Sequence, residues 1–374
     1  MDNISGNKIV IKGGYGYTNF GDDALLKVIY DEFIIEKSQI VFSCSVVNYL
    51  KNIAPEATFI PPMPCYDNFE YLIYGGGTQF YSFKPKRSFF NKIGYAIKNF
   101  TVLIKKIKGK FSKKVKCDYS KTKIGALGVG VGPFLAGANP VIELNTSKLF
   151  MKMDFLAVRD SYSHNKCKEW GVQHHYFTDI CYASNHPKFK ENGRNEDIKR
   201  IGVIVRDWNE TNEGSQYQNS LIENVHYFRE NGFEVTYIVF AREKDTKWIK
   251  ELNRLGESFM LWDPDHDSIN GFIDRLSVFD LFITARYHGA VYSSLLRKPF
   301  ITIEVEQKLA LINQVYDKGS HVWTYPFKKE SLINYVMDIK SNYNFFSEEL
   351  DRVSKLNIEK AKMMKVEFQN FIRN

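Results

Sequence analysis

Several absences narrow the reading before any motif is sought. The 374-residue chain has five cysteines, Cys44, Cys65, Cys117, Cys167 and Cys181, and no Cys-x-x-Cys pair. An odd, scattered set of this kind predicts free thiols in a reducing compartment and argues against a disulfide framework or a zinc site. No charge-free apolar run approaches the ~18 residues that span a bilayer. The opening Met1-Asp-Asn-Ile-Ser-Gly-Asn-Lys lacks the charged and apolar regions of a signal peptide, so a cytoplasmic protein is expected. There is no Gly-Lys-Ser/Thr of a P-loop. The run Gly128-Val-Gly-Val-Gly-Pro133 does not fit Gly-x-Gly-x-x-Gly and no acid follows at the ribose spacing, which excludes a dinucleotide site. No His-x-x-x-His or paired carboxylate set has ligand spacing, so neither a metal nor a cofactor is expected.

What is present is a globular composition, 44% hydrophobic and 15% aromatic, in a chain long enough for two domains. The net charge of +8 is a local feature. Between Lys84 and Lys123 there are 14 Lys or Arg against one acid, Asp118, whereas the rest of the chain has 37 basic and 42 acidic residues. Within it, Phe90, Ile93, Ile97, Phe100, Ile104, Ile107 and Phe111 recur at helical spacing among lysines. The pattern predicts a basic amphipathic helix over 88–116 that lies on an anionic membrane surface. The competing reading is an ordinary helix packed on its domain. Nucleic acid is not the expected partner, because the basic charge is not spread as a binding surface.

Along the chain, short apolar runs of buried parallel strands alternate with helical patterns. Lys8–Lys12 runs into Gly13-Gly-Tyr-Gly-Tyr-Thr-Asn-Phe-Gly-Asp-Asp-Ala, with a helix predicted over about 22–36. Asp22 and Asp23 in its first turn suit the helix dipole but make a poor phosphate cradle. A loop that binds sugar hydroxyls or holds an acid–base carboxylate fits better, with capping by Asp22 as the plainer alternative. Tyr17, Asn19 and Gly21 belong to this loop. Gly75-Gly-Gly-Thr78 predicts a second close approach of backbone to ligand, through Gly76, Gly77 and Thr78. Val158-Arg-Asp-Ser-Tyr-Ser163 reads as a strand end followed by a helix cap.

The polar stretch Asn185 to Asp197 has a linker composition, and a fresh α/β pattern follows. Ile201–Val205 is a strand with Arg206 at its carboxyl end. Leu281–Thr284 is another, and Arg286, Tyr287 and His288 open the helix after it. Ligands of open α/β sheets bind at such strand ends, where helix N-termini favour anions. The expected organisation is α/β, two Rossmann-like domains facing a cleft. The first covers 1–190 and has the basic insertion at about 84–123. The second covers 198–345, and a C-terminal helix covers 346–374.

In order, these blocks resemble the polysaccharide pyruvyl transferase family over about residues 8–310. Gly-Tyr-Thr-Asn-Phe-Gly-Asp-Asp-Ala is similar to the family's Gly-x-x-Asn-x-Gly-Asp-Glu-Ala. Gly75-Gly-Gly, Gly130-Val-Gly-Pro133, Val158–Ser163, Val203-Ile-Val-Arg-Asp-Trp208 and Arg286-Tyr-His288 match its later blocks. Lys308 falls at its Asp-Pro-Lys, here Glu306-Gln-Lys, and Asp23 replaces a Glu. The resemblance implies a GT-B-like fold and transfer of pyruvyl from phosphoenolpyruvate onto two sugar hydroxyls as a ketal. With phosphoenolpyruvate on the second domain and the acceptor on the first, the acceptor would be a polysaccharide or its lipid-linked oligosaccharide precursor at the membrane's inner face. Two arginines suit the donor's carboxylate and phosphate. The assignments are Arg206, Arg286, Tyr287, His288 and Lys308 for the donor, His288 as general acid and Asp22 or Asp23 as base. A nucleotide-sugar glycosyltransferase and a non-catalytic, membrane-bound sugar- or anion-binding protein are the alternatives.

Overall fold

A computed structural model describes residues 8–44, 48–82, 117–135, 139–190, 198–211 and 216–373. The amphipathic pattern over 88–116 lies outside them. The described residues form two sheets in which every strand pair is parallel. The first contains β1 (Ile9–Lys12), β2 (Ile40–Ser43), β3 (Thr58–Ile60), β4 (Tyr71–Ser82), β5 (Lys123–Phe134), β6 (Phe155–Val158) and β7 (His175–Tyr176) in the order 3-2-1-4-5-6-7. The second contains β8 (Arg200–Val205), β9 (Glu234–Val239), β10 (Phe259–Leu261), β11 (Leu281–Thr284), β12 (Phe300–Ile303) and β13 (Ser320–Trp323) in the order 10-9-8-11-12-13. Both are doubly wound, and strand order reverses beside β1 and β4 in one and beside β8 and β11 in the other. Strands such as Leu281–Thr284 and Phe300–Ile303 are buried throughout, as apolar strands covered on both faces should be.

Three local expectations change. The glycine runs do not end their strands. β4 and β5 stay paired from Tyr71↔Lys123 to Ser82↔Phe134, with register shifts on the way. Gly76, Gly77, Gly128 and Gly132 take positive φ, so the paired strands can bend without breaking. The first helix spans only Phe20–Val28 and passes into a wider turn over Ile29–Phe33. Cys65 and Cys117 are joined as a disulfide across 52 residues, against the expectation of free thiols throughout. The reason is tertiary. Thr122 Oγ1 donates to Phe69 O and Asp118 N–H to Asp67, which draws the segments entering β4 and β5 together. Cys44, Cys167 and Cys181 are buried and free.

Phe20 and the C-terminal helix both join the halves. Phe20 N–H donates to Phe240 O at 2.9 Å, and its ring packs against Phe240, Trp262, Phe272 and Tyr292 of the second half at 4.7–5.4 Å. The C-terminal helix Tyr343–Arg373 starts on the second core, with Phe346 buried there. It ends on the first, where Phe371 stacks on Phe155 at 5.3 Å and Lys365 pairs with Glu32 at 2.9 Å. Among the described residues no helix is long and apolar enough to cross a membrane.

Candidate active site

The strand ends of the two sheets face each other across a cleft of about 250 Å³. Asn19, Asp22, Gly77, Thr78, Tyr81, Gly132, Pro133 and Arg159 line it from the first half. Arg206, Asp207, Phe240, Lys244, Arg286, Tyr287, His288, Glu306 and Lys308 line it from the second.

On the first wall, the loop after β1 is held down by Tyr15, whose hydroxyl donates to Gly75 O. Asn19 Nδ2 donates to Asp22 at 2.6 Å, and Lys244 Nζ lies 3.6 Å from the same carboxylate. Asp22 thus faces the cleft with one neutral and one cationic partner. Asp23, paired with it as a base candidate, turns the other way. It is fully buried and accepts from Tyr49 Oη and Trp262 Nε1, each at 2.9 Å. Burial pushes its carboxyl up to about 7 against those two donors. Successive residues on a helix diverge by about 100°, so only one of the two acids can face the cleft. Asp23 joins the halves instead. Tyr17 is 39% exposed with the Lys244 ammonium 5.2 Å from its ring centre, outside the lining. Gly76 abuts Leu25 and Ile180, and so serves packing. Gly77 and Thr78 do line the cleft. Gly21 contributes by having no side chain, since a Cβ there would sit 2.2 Å from His288 Nδ1.

On the second wall, Arg206 follows β8 and Arg286 follows β11, side by side at the switch point because those strands pair. Neither is unpaired. Arg206 Nη1 contacts Glu306, and Arg286 Nη2 contacts both oxygens of the fully buried Asp245. Lys308 Nζ joins Glu306 at 2.9 Å. Burial would raise the Glu306 carboxyl, but Arg206 and Lys308 bring it down to about 2. Desolvation lowers Lys308 to about 8 in spite of Glu306. The two arginines expected to meet the donor's carboxylate and phosphate are therefore held in ion pairs that an incoming anion has to share. Arg286 Nε is buried with no hydrogen-bond partner.

A third arginine stands at the strand end that precedes a helix cap. Asp160 does cap, accepting from Ser163 N–H at 2.8 Å. Arg159 before it is buried in the cleft wall. Its Nη1 donates to Asp179 at 2.8 Å, its Nη2 to Thr78 Oγ1 at 2.9 Å, and its guanidinium lies 4.1 Å from the Tyr287 ring centre. Burial works against the Asp179 carboxyl's charge, yet His288, Arg159 and the Cys181 amide hold it well below the usual range. Arg159, Asp179, Lys244, Asp245 and Glu306 carry no site role in the sequence pattern alone. For Arg159 a signal existed: it ends β6 as Arg206 ends β8. The other four are partners that only folding supplies.

Asp179, Cys181 and His288 form the one grouping among the described residues whose donor atoms could meet a metal, all within 4.8 Å. Asp179 is already committed to Arg159 and to Cys181 N–H, and a guanidinium at 2.8 Å repels a cation. The Asp179 carboxylate is instead the partner of a guanidinium and an amide, with His288 Nε2 at 3.6 Å.

Two parallel, doubly wound sheets with a polar cleft between their strand ends define a GT-B-like protein of two Rossmann-like domains. Solved structures agree at the level of fold. Anabaena HepE in complex with UDP-glucose is 10% identical, with a TM-score of 0.56 and coverage of 98% of this chain and 99% of its own. A glycosyltransferase from Rickettsia africae is 13% identical, with a TM-score of 0.51 over 98% and 99%. An assigned UDP-N-acetylglucosamine 2-epimerase of Listeria monocytogenes is 11% identical, with 0.51 over 95% and 94%. No curated protein matches the chain in sequence. The profile of the polysaccharide pyruvyl transferase family matches residues 19–307, and the chain belongs to that family.

Proposed function

We propose that the chain transfers the pyruvyl unit of phosphoenolpyruvate onto two hydroxyls of a sugar, forming a ketal and releasing phosphate. The observation that carries this reading is the convergence of Arg159, Arg206, Lys244, Arg286, Lys308 and His288 on one cleft, in a chain of this family. A small substrate with a carboxylate and a phosphate needs two anion subsites close together, and guanidinium forks suit both. The helix Tyr287–Leu295 points its N-terminus at the same place, and Arg286 at its N-cap makes no side-chain capping bond.

In the proposed chemistry, His288 gives a proton to the methylene carbon of phosphoenolpyruvate, leaving positive charge on the adjacent carbon. One sugar hydroxyl adds there and loses its proton to Asp22. The second hydroxyl then displaces phosphate, closing the ketal; its proton restores His288, and Asp22 passes its proton to the bridging oxygen, which leaves as hydrogen phosphate. The cations stabilise the departing phosphate dianion. Asp22 is the base because its carboxylate faces the cleft and Asp23 does not. The acceptor is proposed to be lipid-linked and met at an anionic membrane surface through the basic, amphipathic sequence of 88–116.

The test is incubation with phosphoenolpyruvate and a panel of lipid-linked sugars, reading phosphate release and the mass of the product, with UDP-glucose in a parallel arm. Phosphate release with addition of pyruvate is the expected result. Sugar transfer from UDP-glucose with no use of phosphoenolpyruvate would replace this reading by a glycosyltransferase.

A further inference from the structure

His288 is approached from both halves of the molecule. Its own helix, Tyr287–Leu295, belongs to the second half. Its Nε2 lies 3.6 Å from Asp179 Oδ2, and Asp179 follows β7 in the first half. That nitrogen is buried and has no hydrogen-bond partner. The other ring nitrogen, Nδ1, lies against Gly21, the position where the loop after β1 enters its helix. Asp179 is fully buried and cannot swing away: Arg159 Nη1 donates to one oxygen at 2.8 Å and Cys181 N–H to the other at 2.9 Å. Arg159 in turn lies on the ring of Tyr287, the residue before His288. A carboxylate fixed by the first half is thus aimed at the back of an imidazole carried by the second.

From this geometry we infer that Asp179 is a positioning residue for His288: it holds a proton on Nε2 and aims Nδ1 into the cleft. The inference rests on the proposed role of His288 as the acid in pyruvyl transfer, and it adds the group through which that acid is assembled. Which ring nitrogen carries a proton is set by what the other one bonds to. With Nε2–H directed at Asp179, Nδ1 is the nitrogen that delivers its proton to the methylene carbon. The electron pair of the broken N–H bond stays on Nδ1. The neutral ring keeps its Nε2 proton, and Asp179 stays ionised throughout, as a carboxylate behind a working imidazole does. The 3.6 Å separation is an ion-pair distance, and catalytic hydrogen bonds that are long without substrate often tighten once it is bound. Because donor and acceptor of this contact come from opposite walls, the acid is complete only when the two halves are in contact.

The test compares the full-length parent with Asp179→Asn and Asp179→Ala, each checked for folding by circular dichroism and thermal melting. With phosphoenolpyruvate and the acceptor panel, Asp179→Asn is expected to lose kcat by about 10²–10⁴-fold. Its KM for phosphoenolpyruvate should change far less than its kcat, because the Asn oxygen can still accept from Arg159, one of the cations of the cleft. Formate added to Asp179→Ala should restore part of the rate by placing a carboxylate behind the ring, which a merely structural role would not allow. A second readout needs no turnover. In protein labelled with ¹⁵N-histidine, the His288 signals, assigned by their loss in His288→Gln, should show the proton on Nε2 in the parent and a changed pattern in Asp179→Asn. A folded Asp179→Asn with parental kcat, or with an unchanged His288 pattern, overturns the inference. A parent that never uses phosphoenolpyruvate overturns the proposed function instead, and the His288 spectrum then decides the inference alone.

Discussion

Gly21→Ala is a one-carbon test of where the acid sits. The added Cβ would lie 2.2 Å from His288 Nδ1, 2.7 Å from its Cγ and 3.0 Å from its Cβ. Backbone strain is not the issue, because Gly21 lies inside the helix Phe20–Val28. Ala is a better helix former than Gly by about 1 kcal/mol, while overpacking costs roughly 1–3 kcal/mol. The net change in stability should therefore be a loss below about 2 kcal/mol. The imidazole has to retreat by roughly 1 Å to regain ordinary contact, and a misplacement of that size costs about 10²-fold in rate. The arginines are untouched, so phosphoenolpyruvate should bind as before. Calorimetric titration of the donor and single-turnover phosphate release give the two halves of the answer. A folded Gly21→Ala protein with kcat within threefold of the parent refutes the placement of a working His288 against Gly21.

Arg206→Ala should weaken phosphoenolpyruvate binding by roughly 2–4 kcal/mol in calorimetry. Arg286→Ala should in addition lower stability by roughly 3–5 kcal/mol, because Asp245 would be left buried with the Asp207 amide but without its cation; unchanged affinity in both variants refutes anion binding by these arginines. Asp23 sits at about 7 in the fold against an ordinary 3.8, so the folded state binds its proton more tightly than the unfolded chain. Its contribution to stability is full below about 4 and is lost as pH rises through about 7, a span on the order of a few kcal/mol. Urea unfolding at several pH values should show this slope in the parent and a flatter one in Asp23→Asn, and equal slopes would refute it. Changing Ile97, Phe100 and Ile104 to Asp should abolish flotation with anionic vesicles, which high salt should weaken in the parent; equal flotation of mutant and parent counts against the membrane role.

The chain's local patterns were enough to place Arg206, Arg286 and His288 at strand ends, since a buried apolar strand followed by a helix always delivers its next residues to the same edge of the sheet. They also separated two α/β halves, because fully buried strands leave near-continuous apolar runs. A local pattern cannot say which way neighbouring side chains face once a helix is docked. Asp22 and Asp23 are adjacent in sequence, yet one faces the cleft and the other is locked between Tyr49 and Trp262. Nor does it reveal partners. Glu306, Asp245 and Asp179 lie 100, 41 and 20 residues from the arginines they hold, and Cys65 meets Cys117 across 52. Those pairings arise because sheet order brings distant strand ends together, and charges brought into a shared, poorly solvated cleft have to be matched there. Strand-end positions were thus local properties of the chain, whereas the electrostatic partners of those residues, and the meeting of His288 with Asp179 across two halves, belong to the tertiary structure.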